Sequence, residues 1–292
     1  MKNVQYFAPD TLEEALQVLG EYGDKIRVLA GGTDLVRDMN LEFKIPDNIL
    51  WIGRLNLEYI ETDGEVIRIG AATRMQTAGD SPLLRQKAAA VARATGKLAS
   101  PPVRSLATLG GNLCNASPGA DAGCALLGLG AEVVLTRSAG RRILPLEQFF
   151  LGPNQTVLEP GEMLTEIRVR PTGKGEGSAY QKVGRRQAMT LAVLNAAARV
   201  KLDGQGSVSS VNIAVGAAAP TLLRIGRAEK LLTGQELTAE AIKEAAEIAS
   251  QDIKPIDDVH GTAWYRRKVA KVLVERTLRE AGNLNGGKDH NG

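Results

Sequence analysis

Two glycine-rich segments contain the residues best suited to bind an anionic ligand. Residues 30–34 read Ala-Gly-Gly-Thr-Asp directly after an apolar run, and residues 107–123 contain Gly110 and Gly111 among several polar residues. Glycines leave backbone N–H groups uncovered, so such a segment can approach a pyrophosphate closely. One Gly-Gly pair alone is more often a tight turn. Two such segments in one chain favour a dinucleotide, which has two phosphates and two sugars to satisfy.

Other cofactor patterns are missing from the sequence. The G-x-G-x-x-G fingerprint in its strand-to-helix context and the G-x-x-x-x-G-K-[ST] phosphate loop are both absent. His260, His290, Cys114 and Cys124 are the chain's only histidines and cysteines. They supply too little for histidine acid/base chemistry, a structural zinc site or an iron-sulfur cluster. We therefore expect an organic cofactor to carry any chemistry, with no metal site and no catalytic side chain in this chain.

The composition predicts a protein of more than one domain that binds neither nucleic acid nor a membrane. A chain of 292 residues exceeds one average domain. The net charge of +3 is spread along the sequence without a dense Lys/Arg block, so no nucleic-acid-binding face is indicated. The sequence lacks an apolar run of roughly 18 residues and a secretory signal. We expect a cytoplasmic protein.

Hydrophobic periodicity around the first glycine-rich segment predicts a small α/β unit. It begins with an amphipathic helix whose capping box comes from Thr11 and Glu14. A strand, a short helix and a second strand follow at 25–30, 35–40 and 48–53.

The second glycine-rich segment is predicted to be a loop within a longer β-rich stretch. One helix is expected over residues 81–99, with Pro82 in its first turn. Strands are predicted at 65–73, within 132–146 and at 163–171.

A polar, glycine-rich linker at 172–178 predicts the main domain boundary. Three β segments and then three helical patterns follow it, which indicates an α+β domain with its sheet covered on one face. The predicted domains are residues 1–174, divided into subdomains of about 1–55 and 56–174, and residues 175–284. The tail, 285–292, is predicted to be disordered. Trp51 and Trp264 are expected in the core.

The whole chain resembles the FAD-binding medium subunit of the xanthine dehydrogenase and carbon monoxide dehydrogenase family, the molybdenum hydroxylases. The resemblance rests on VLAGGTDLV at 28–36 and ATLGGNLCNASPGADAG at 107–123, supported by similar segments at 6–19, 178–200 and 257–278. It implies a two-subdomain FAD-binding domain of the PCMH/VAO-like kind, followed by a C-terminal α+β domain with a small antiparallel sheet and helices. It also implies an oxidoreductase subunit that relays electrons from a partner's iron-sulfur clusters through FAD to an acceptor.

The resemblance assigns cofactor-binding positions in both segments. The first would hold the pyrophosphate through the backbone of Ala30, Gly31, Gly32, Thr33 and Asp34, with Leu29 and Leu35 on either side as further cofactor-binding positions. The second would contribute Thr108, Gly110, Gly111, Asn112 and Asn115, the last standing where the family often has Thr. Asp121 would bind the ribose at the adenosine end. A basic residue near the flavin ring corresponds to Lys182, although Gln181 could take that place and a solvated surface lysine fits equally well.

The same resemblance implies partners: a small subunit with two-iron two-sulfur clusters and a large molybdopterin subunit, in a dimer of heterotrimers. The substrate and the electron acceptor remain open. Two other functions fit the residues, a stand-alone FAD-dependent oxidase or dehydrogenase and a nucleotide-binding module without enzymatic activity. The histidine-poor C-terminal region argues against the oxidase. Cys114 is interpreted as a small buried apolar residue.

Overall fold

The computed structural model describes residues 4–43, 45–186 and 189–282, so the predicted disordered tail lies outside the described residues. The chain begins with a parallel sheet in the strand order β1-β3-β2 and two helices. Thr11 and Glu14 form the predicted capping box at the start of the first helix. The elements are β1 Gln5–Phe7, α1 Leu12–Tyr22, β2 Ile26–Leu29, α2 Leu35–Asn40 and β3 Asn48–Trp51. The first glycine-rich segment therefore connects the end of β2 to the start of α2.

A five-stranded antiparallel sheet in the order β4-β5-β10-β6-β7 forms the second part. Alternate apolar residues such as Ile67, Ile69 and Val133 are fully buried against a layer of short helices, as expected when one sheet face packs on a core. The strands are β4 Ile60–Thr62, β5 Ile67–Gly70, β6 Glu132–Arg137, β7 Gly140–Pro145, β8 Phe150–Gly152, β9 Gln155–Thr156 and β10 Met163–Val169. The helices are α3 Met75–Asp80, α4 Pro82–Lys87, α5 Ala89–Gly96, α6 Pro101–Arg104, α7 Leu109–Asn115 and α8 Asp121–Gly128.

Two predictions for this region are wrong. The single helix over 81–99 is broken at Ala88, whose φ of −152° and ψ of 51° are not helical. The new helix that starts there is stabilised by Ser178, whose hydroxyl accepts from the Ala90 amide. The second glycine-rich segment is largely helical rather than a loop, because Thr108 caps α7 and accepts from the Gly111 amide at 3.1 Å.

The C-terminal domain is an antiparallel sheet in the order β11-β12-β13-β14 with three helices. The predicted order of β segments followed by three helices is confirmed, but the sheet has a fourth, short strand that was not predicted, and β11 begins inside the predicted linker. The elements are β11 Glu176–Gly184, β12 Ala192–Leu202, β13 Val208–Gly216, β14 Leu223–Arg224, α9 Gly226–Leu232, α10 Ala239–Asp252 and α11 Ala263–Ala281.

This sheet is covered on both faces, so the expectation of one covered face is wrong. Leu194 and Ala196 of β12 pack with α10 and α11, whereas Ala197 points the opposite way and joins the core around α8. The N-terminal domain thus supplies the second covering layer.

Trp264 corrects another expectation, since it is 68% exposed rather than in the core. None of the helices among the described residues is long and apolar enough to cross a bilayer.

Candidate functional site

The first glycine-rich segment lies directly against the backbone that precedes the second. A Cβ added to Gly31 would stand 1.8 Å from the carbonyl oxygen of Leu106, so only glycine permits this approach. Gly32 has a φ of +73°, in the left-handed region that favours glycine. The two glycines therefore bring the two predicted cofactor segments together at one place.

The first segment offers a run of unused backbone donors. Among the described residues, the N–H groups of Gly31, Gly32, Thr33 and Asp34 donate to no protein acceptor. Burial raises the pKa of the Asp34 carboxyl, and the nearby Arg37 guanidinium opposes that shift. Four consecutive amides without partners fit a pyrophosphate, because successive N–H groups in a tight turn form an anion-binding concavity.

The second segment differs from its predicted role at both glycines. Gly110 is buried, its amide donates to the Ala71 carbonyl at 2.8 Å, and an added Cβ would lie 2.7 Å from the Ala71 Cβ. The Gly111 amide is already used by Thr108. Gly110 is therefore a packing glycine, and the expectation of free donors at Gly110 and Gly111 is wrong.

The polar side chains of the second segment leave one acceptor unsatisfied. The Asn112 Oδ1 atom is buried and has no hydrogen-bond partner among the described residues. Buried polar atoms are nearly always paired in folded proteins, so this oxygen indicates a donor supplied by a ligand. Asn115 is partly buried, and its carbonyl accepts from the Asn154 side chain at 2.8 Å. Together with the free amides of the first segment, the orphaned oxygen fits a dinucleotide.

Cys114 lies between these asparagines. Burial raises the pKa of its thiol to about 12. The residue therefore stays a neutral thiol near neutral pH. It packs against the main apolar core but is only partly buried, so its interpretation as a buried apolar residue holds in part.

Asp121 and Lys182 form a buried ion pair between the two domains. The Lys182 Nζ donates to Asp121 Oδ2 at 2.7 Å, and the two side chains are 7% and 8% exposed. The surface-lysine interpretation is therefore wrong. Gln181 points to the other face of β11, where its side chain donates to Glu280. Of the two residues considered for the basic position, Lys182 is the one that faces the FAD-binding domain.

Two further residues of this cluster were missed in the sequence. The Tyr180 hydroxyl donates to Asp121 Oδ1 at 2.6 Å, and the Asn195 Nδ2 donates to the same oxygen at 3.1 Å. Both residues are fully buried. A signal was available for each. Tyr180 lies two positions before Lys182 and so on the same strand face, and Asn195 is a single amide within the apolar run of β12.

Comparisons with known proteins agree with this geometry. Residues 2–172 match the family of the FAD binding domain in molybdopterin dehydrogenase, and residues 178–281 match the CO dehydrogenase flavoprotein C-terminal domain. The chain is 34% identical to the carbon monoxide dehydrogenase medium chain of Hydrogenophaga pseudoflava, over 95% of this chain and 96% of that one. It is 34% identical to the glyceraldehyde dehydrogenase medium chain of Sulfolobus acidocaldarius, over 94% and 97%.

A solved structure gives the same result for the fold. Carbon monoxide dehydrogenase from Hydrogenophaga pseudoflava, in a form lacking the Mo-pyranopterin moiety, superposes with a TM-score of 0.91 at 35% identity, covering 96% of this chain and 97% of that chain. The chain belongs to the FAD-binding medium subunits of the molybdenum hydroxylases. It carries an FAD-binding domain and is the electron-transfer flavoprotein component of an oxidoreductase. The family, fold and cofactor inferred from the sequence are confirmed.

Proposed function

We propose that this subunit holds FAD across the two glycine-rich segments and relays electrons from an iron-sulfur partner to an acceptor outside the chain. This proposal is supported by the four amides from Gly31 to Asp34, which donate to no acceptor in the described part of the chain and lie against the Leu106 backbone. Bound FAD supplies the conversion between two-electron and one-electron transfer. The chain's own residues bind and orient it.

The residues divide between the two segments. The first, from Leu29 to Leu35, provides the amides for the pyrophosphate. The second provides the polar groups of Thr108, Asn112 and Asn115, while Gly110 supports it by packing. Lys182 is the cation proposed to lie beside the flavin ring. No side chain of this chain is assigned a catalytic role.

The proposed assembly follows from the relatives, which are named as medium chains. We propose a small two-iron two-sulfur subunit and a large molybdopterin subunit as partners, in a dimer of heterotrimers. The division between this chain's domains is proposed at residues 174 and 175, within the gap between the two family matches.

The test is the visible absorption spectrum of the purified chain, expressed alone and together with its partner subunits, followed by acid release of the bound nucleotide. We expect a flavin spectrum and released FAD in both samples, with iron and molybdenum only in the co-expressed one. A colourless protein in both samples would refute the proposal. Iron that stays with this chain when it is expressed alone would contradict the assignment of the clusters to a partner.

A further inference from the structure

The cluster around Asp121 is more elaborate than a simple ion pair. Asp121 is 7% exposed and accepts three hydrogen bonds, two on Oδ1 from Tyr180 and Asn195 and one on Oδ2 from Lys182. A carboxylate has about four acceptor positions. One position, on the oxygen that binds Lys182, therefore stays unused by the described residues.

The same donors connect separate parts of the fold. Lys182 also donates to the carbonyl of Lys97, which follows α5, at 3.1 Å. Asn195 also donates to the carbonyl of Gly119, in the turn before α8, at 3.2 Å. The Asp121 carboxylate thus links the second glycine-rich segment to β11 and β12 of the C-terminal domain.

This geometry conflicts with the two separate roles predicted from the sequence. Asp121 was expected at the adenosine ribose and Lys182 at the flavin ring, but their polar atoms are 2.7 Å apart. In an extended dinucleotide the pyrophosphate separates those two groups. A single ion pair cannot serve both ends, so with Lys182 beside the flavin ring, as in the proposed function, Asp121 lies at the flavin end too.

We infer that Tyr180 and Asn195 are positioning residues for the flavin, because they fix the Asp121 carboxylate that holds the Lys182 ammonium. The inference rests on the proposed function, in which Lys182 lies beside the ring. Tyr180 keeps its proton for this task, since burial first and the Asp121 charge second raise the pKa of its hydroxyl well above the ordinary value. The Asn195 orientation is also defined, because its amide nitrogen must face the carboxylate.

The variants to compare are Tyr180→Phe, Lys182→Met and Asp121→Asn in the full chain loaded with FAD. Tyr180→Phe keeps the buried ring and removes only the hydroxyl. Gln181→Met is the matched control, because Gln181 lies on the opposite face of the same strand. Two quantities are measured for each protein, the dissociation constant of FAD and the midpoint potential of the flavin in a dye-coupled redox titration.

The expected directions follow from charge. Lys182→Met removes a cation near the reduced, more negative flavin and makes the potential more negative. Asp121→Asn removes the opposing negative charge and also the group that holds Lys182, two effects of opposite sign on the potential, so this variant serves as the background in which Tyr180→Phe is tested. Tyr180→Phe weakens the hold on the carboxylate, so it shifts the potential in the same direction as Lys182→Met. It also weakens FAD binding, by less than the roughly tenfold that loss of one direct hydrogen bond to a charged group would cause, because the bond lost is internal. In the Asp121→Asn background, Tyr180→Phe should have no further effect on the potential.

A purely structural cluster would behave differently. If Tyr180→Phe and Lys182→Met lower the unfolding temperature but keep the wild-type dissociation constant and potential, the inference is overturned while the proposed function stands. A wild-type chain that binds no FAD overturns both. Equal shifts in Gln181→Met and Tyr180→Phe would also overturn the inference, because the effect would then belong to the strand and not to the carboxylate.

Discussion

Glycines at the residue scale serve three different purposes in this site. Gly31 allows two backbone segments to meet, because an added Cβ would overlap the Leu106 carbonyl oxygen. Gly32 supplies a left-handed turn, and Gly110 permits close packing on Ala71. Only Gly31 and Gly32 shape the surface that faces the proposed pyrophosphate. Replacing either of them should weaken FAD binding directly, whereas replacing other glycines should not.

Gly32→Ala should weaken FAD binding by at least about tenfold. The left-handed backbone would cost roughly 1 to 2 kcal/mol with a Cβ present, and that Cβ would stand 3.0 Å from the Val36 Cγ2 atom. The segment would then shift and misplace its amides. The dissociation constant of FAD can be measured by the quenching of flavin fluorescence.

Gly64→Ala is the matched control for that experiment. Gly64 also has a positive φ, +96°, but nothing lies within 4 Å of its added Cβ. It should cost similar backbone strain and leave FAD binding unchanged. Equal losses of affinity in both variants would show that general destabilisation, rather than the first segment, controls binding.

Sequence alone predicted this site but could not assign a separate role to each of its glycines. The spacing of Gly31, Gly32, Gly110 and Gly111 was enough to indicate a dinucleotide. It could not show that the Gly110 amide is consumed by Ala71, because that contact joins residues 39 positions apart. Asn195 could be noticed in the sequence as an amide within an apolar strand. Its partner Asp121 could not be identified there, because the two residues meet only when β12 packs on α8.

At the scale of elements, long-range contacts explain where local patterns failed. Residues 81–99 have a continuous helical pattern, but the chain breaks at Ala88 because the new helix aligns with β11, whose Ser178 binds the Ala90 amide. Elements with strong local signals, such as α1 with its capping box, were predicted correctly. The residues that determine such elements lie within one helical turn of each other, as Thr11 and Glu14 do.

A buried ion pair fixes the start of β11 against β12 and the end of β10. Arg199 and Glu176 are both 4% exposed, and the Arg199 Nε donates to Glu176 at 2.6 Å. Arg199 also donates to the carbonyls of Arg170 and Pro171, at 2.8 and 3.0 Å. Burial would raise the pKa of Glu176, but the hydrogen bonds from Arg199 and Gly173 and the charges of Arg199 and Arg170 together outweigh it, so the pKa lies below its usual value of 4.5.

Glu176 should make the protein acid-sensitive. Its pKa is lower in the folded than in the unfolded chain, so its charge contributes stability above about pH 4.5, and that contribution is lost as the pH falls through the folded value. Glu176→Gln should lower the free energy of unfolding at pH 7 by about 3 kcal/mol, because Arg199 stays buried without a countercharge. The difference from wild type should shrink on acidification, as measured by denaturant unfolding at several pH values.

The control for Glu176 is the exposed pair of Arg137 and Glu159, whose side chains are 54% and 55% exposed. Glu159→Gln should cost less than about 1 kcal/mol at neutral pH, since surface ion pairs contribute little. A Glu176→Gln deficit that stays constant from neutral pH to below pH 4.5 would show that the effect is not due to its charge.

At the scale of the whole molecule, the two domains meet through a shared buried cluster that surrounds the Asp121–Lys182 ion pair, while the C-terminal domain also has a core of its own. Tyr180, Ala197 and Leu222 of the C-terminal domain belong to the same buried cluster as α8. Helix α8 can lie close to the sheet because it presents a small residue, Gly128, to Ala197. The cofactor segment before α8 and the sheet that carries Lys182 are thereby held in a fixed relation.

Gly128→Ala should therefore destabilise the whole chain. The added Cβ would stand 2.7 Å from the Ala197 Cβ and 3.1 Å from its backbone, and overpacking of this kind costs about 1 to 3 kcal/mol. Gly96→Ala is the matched helical control, because nothing lies within 4 Å of that Cβ. It should be neutral or stabilise the chain by about 0.4 to 1 kcal/mol.

Thermal unfolding, followed by circular dichroism, should show one cooperative transition whose midpoint temperature falls only in Gly128→Ala. Two separated transitions in the wild-type chain would contradict a shared core, because each domain would then unfold on its own.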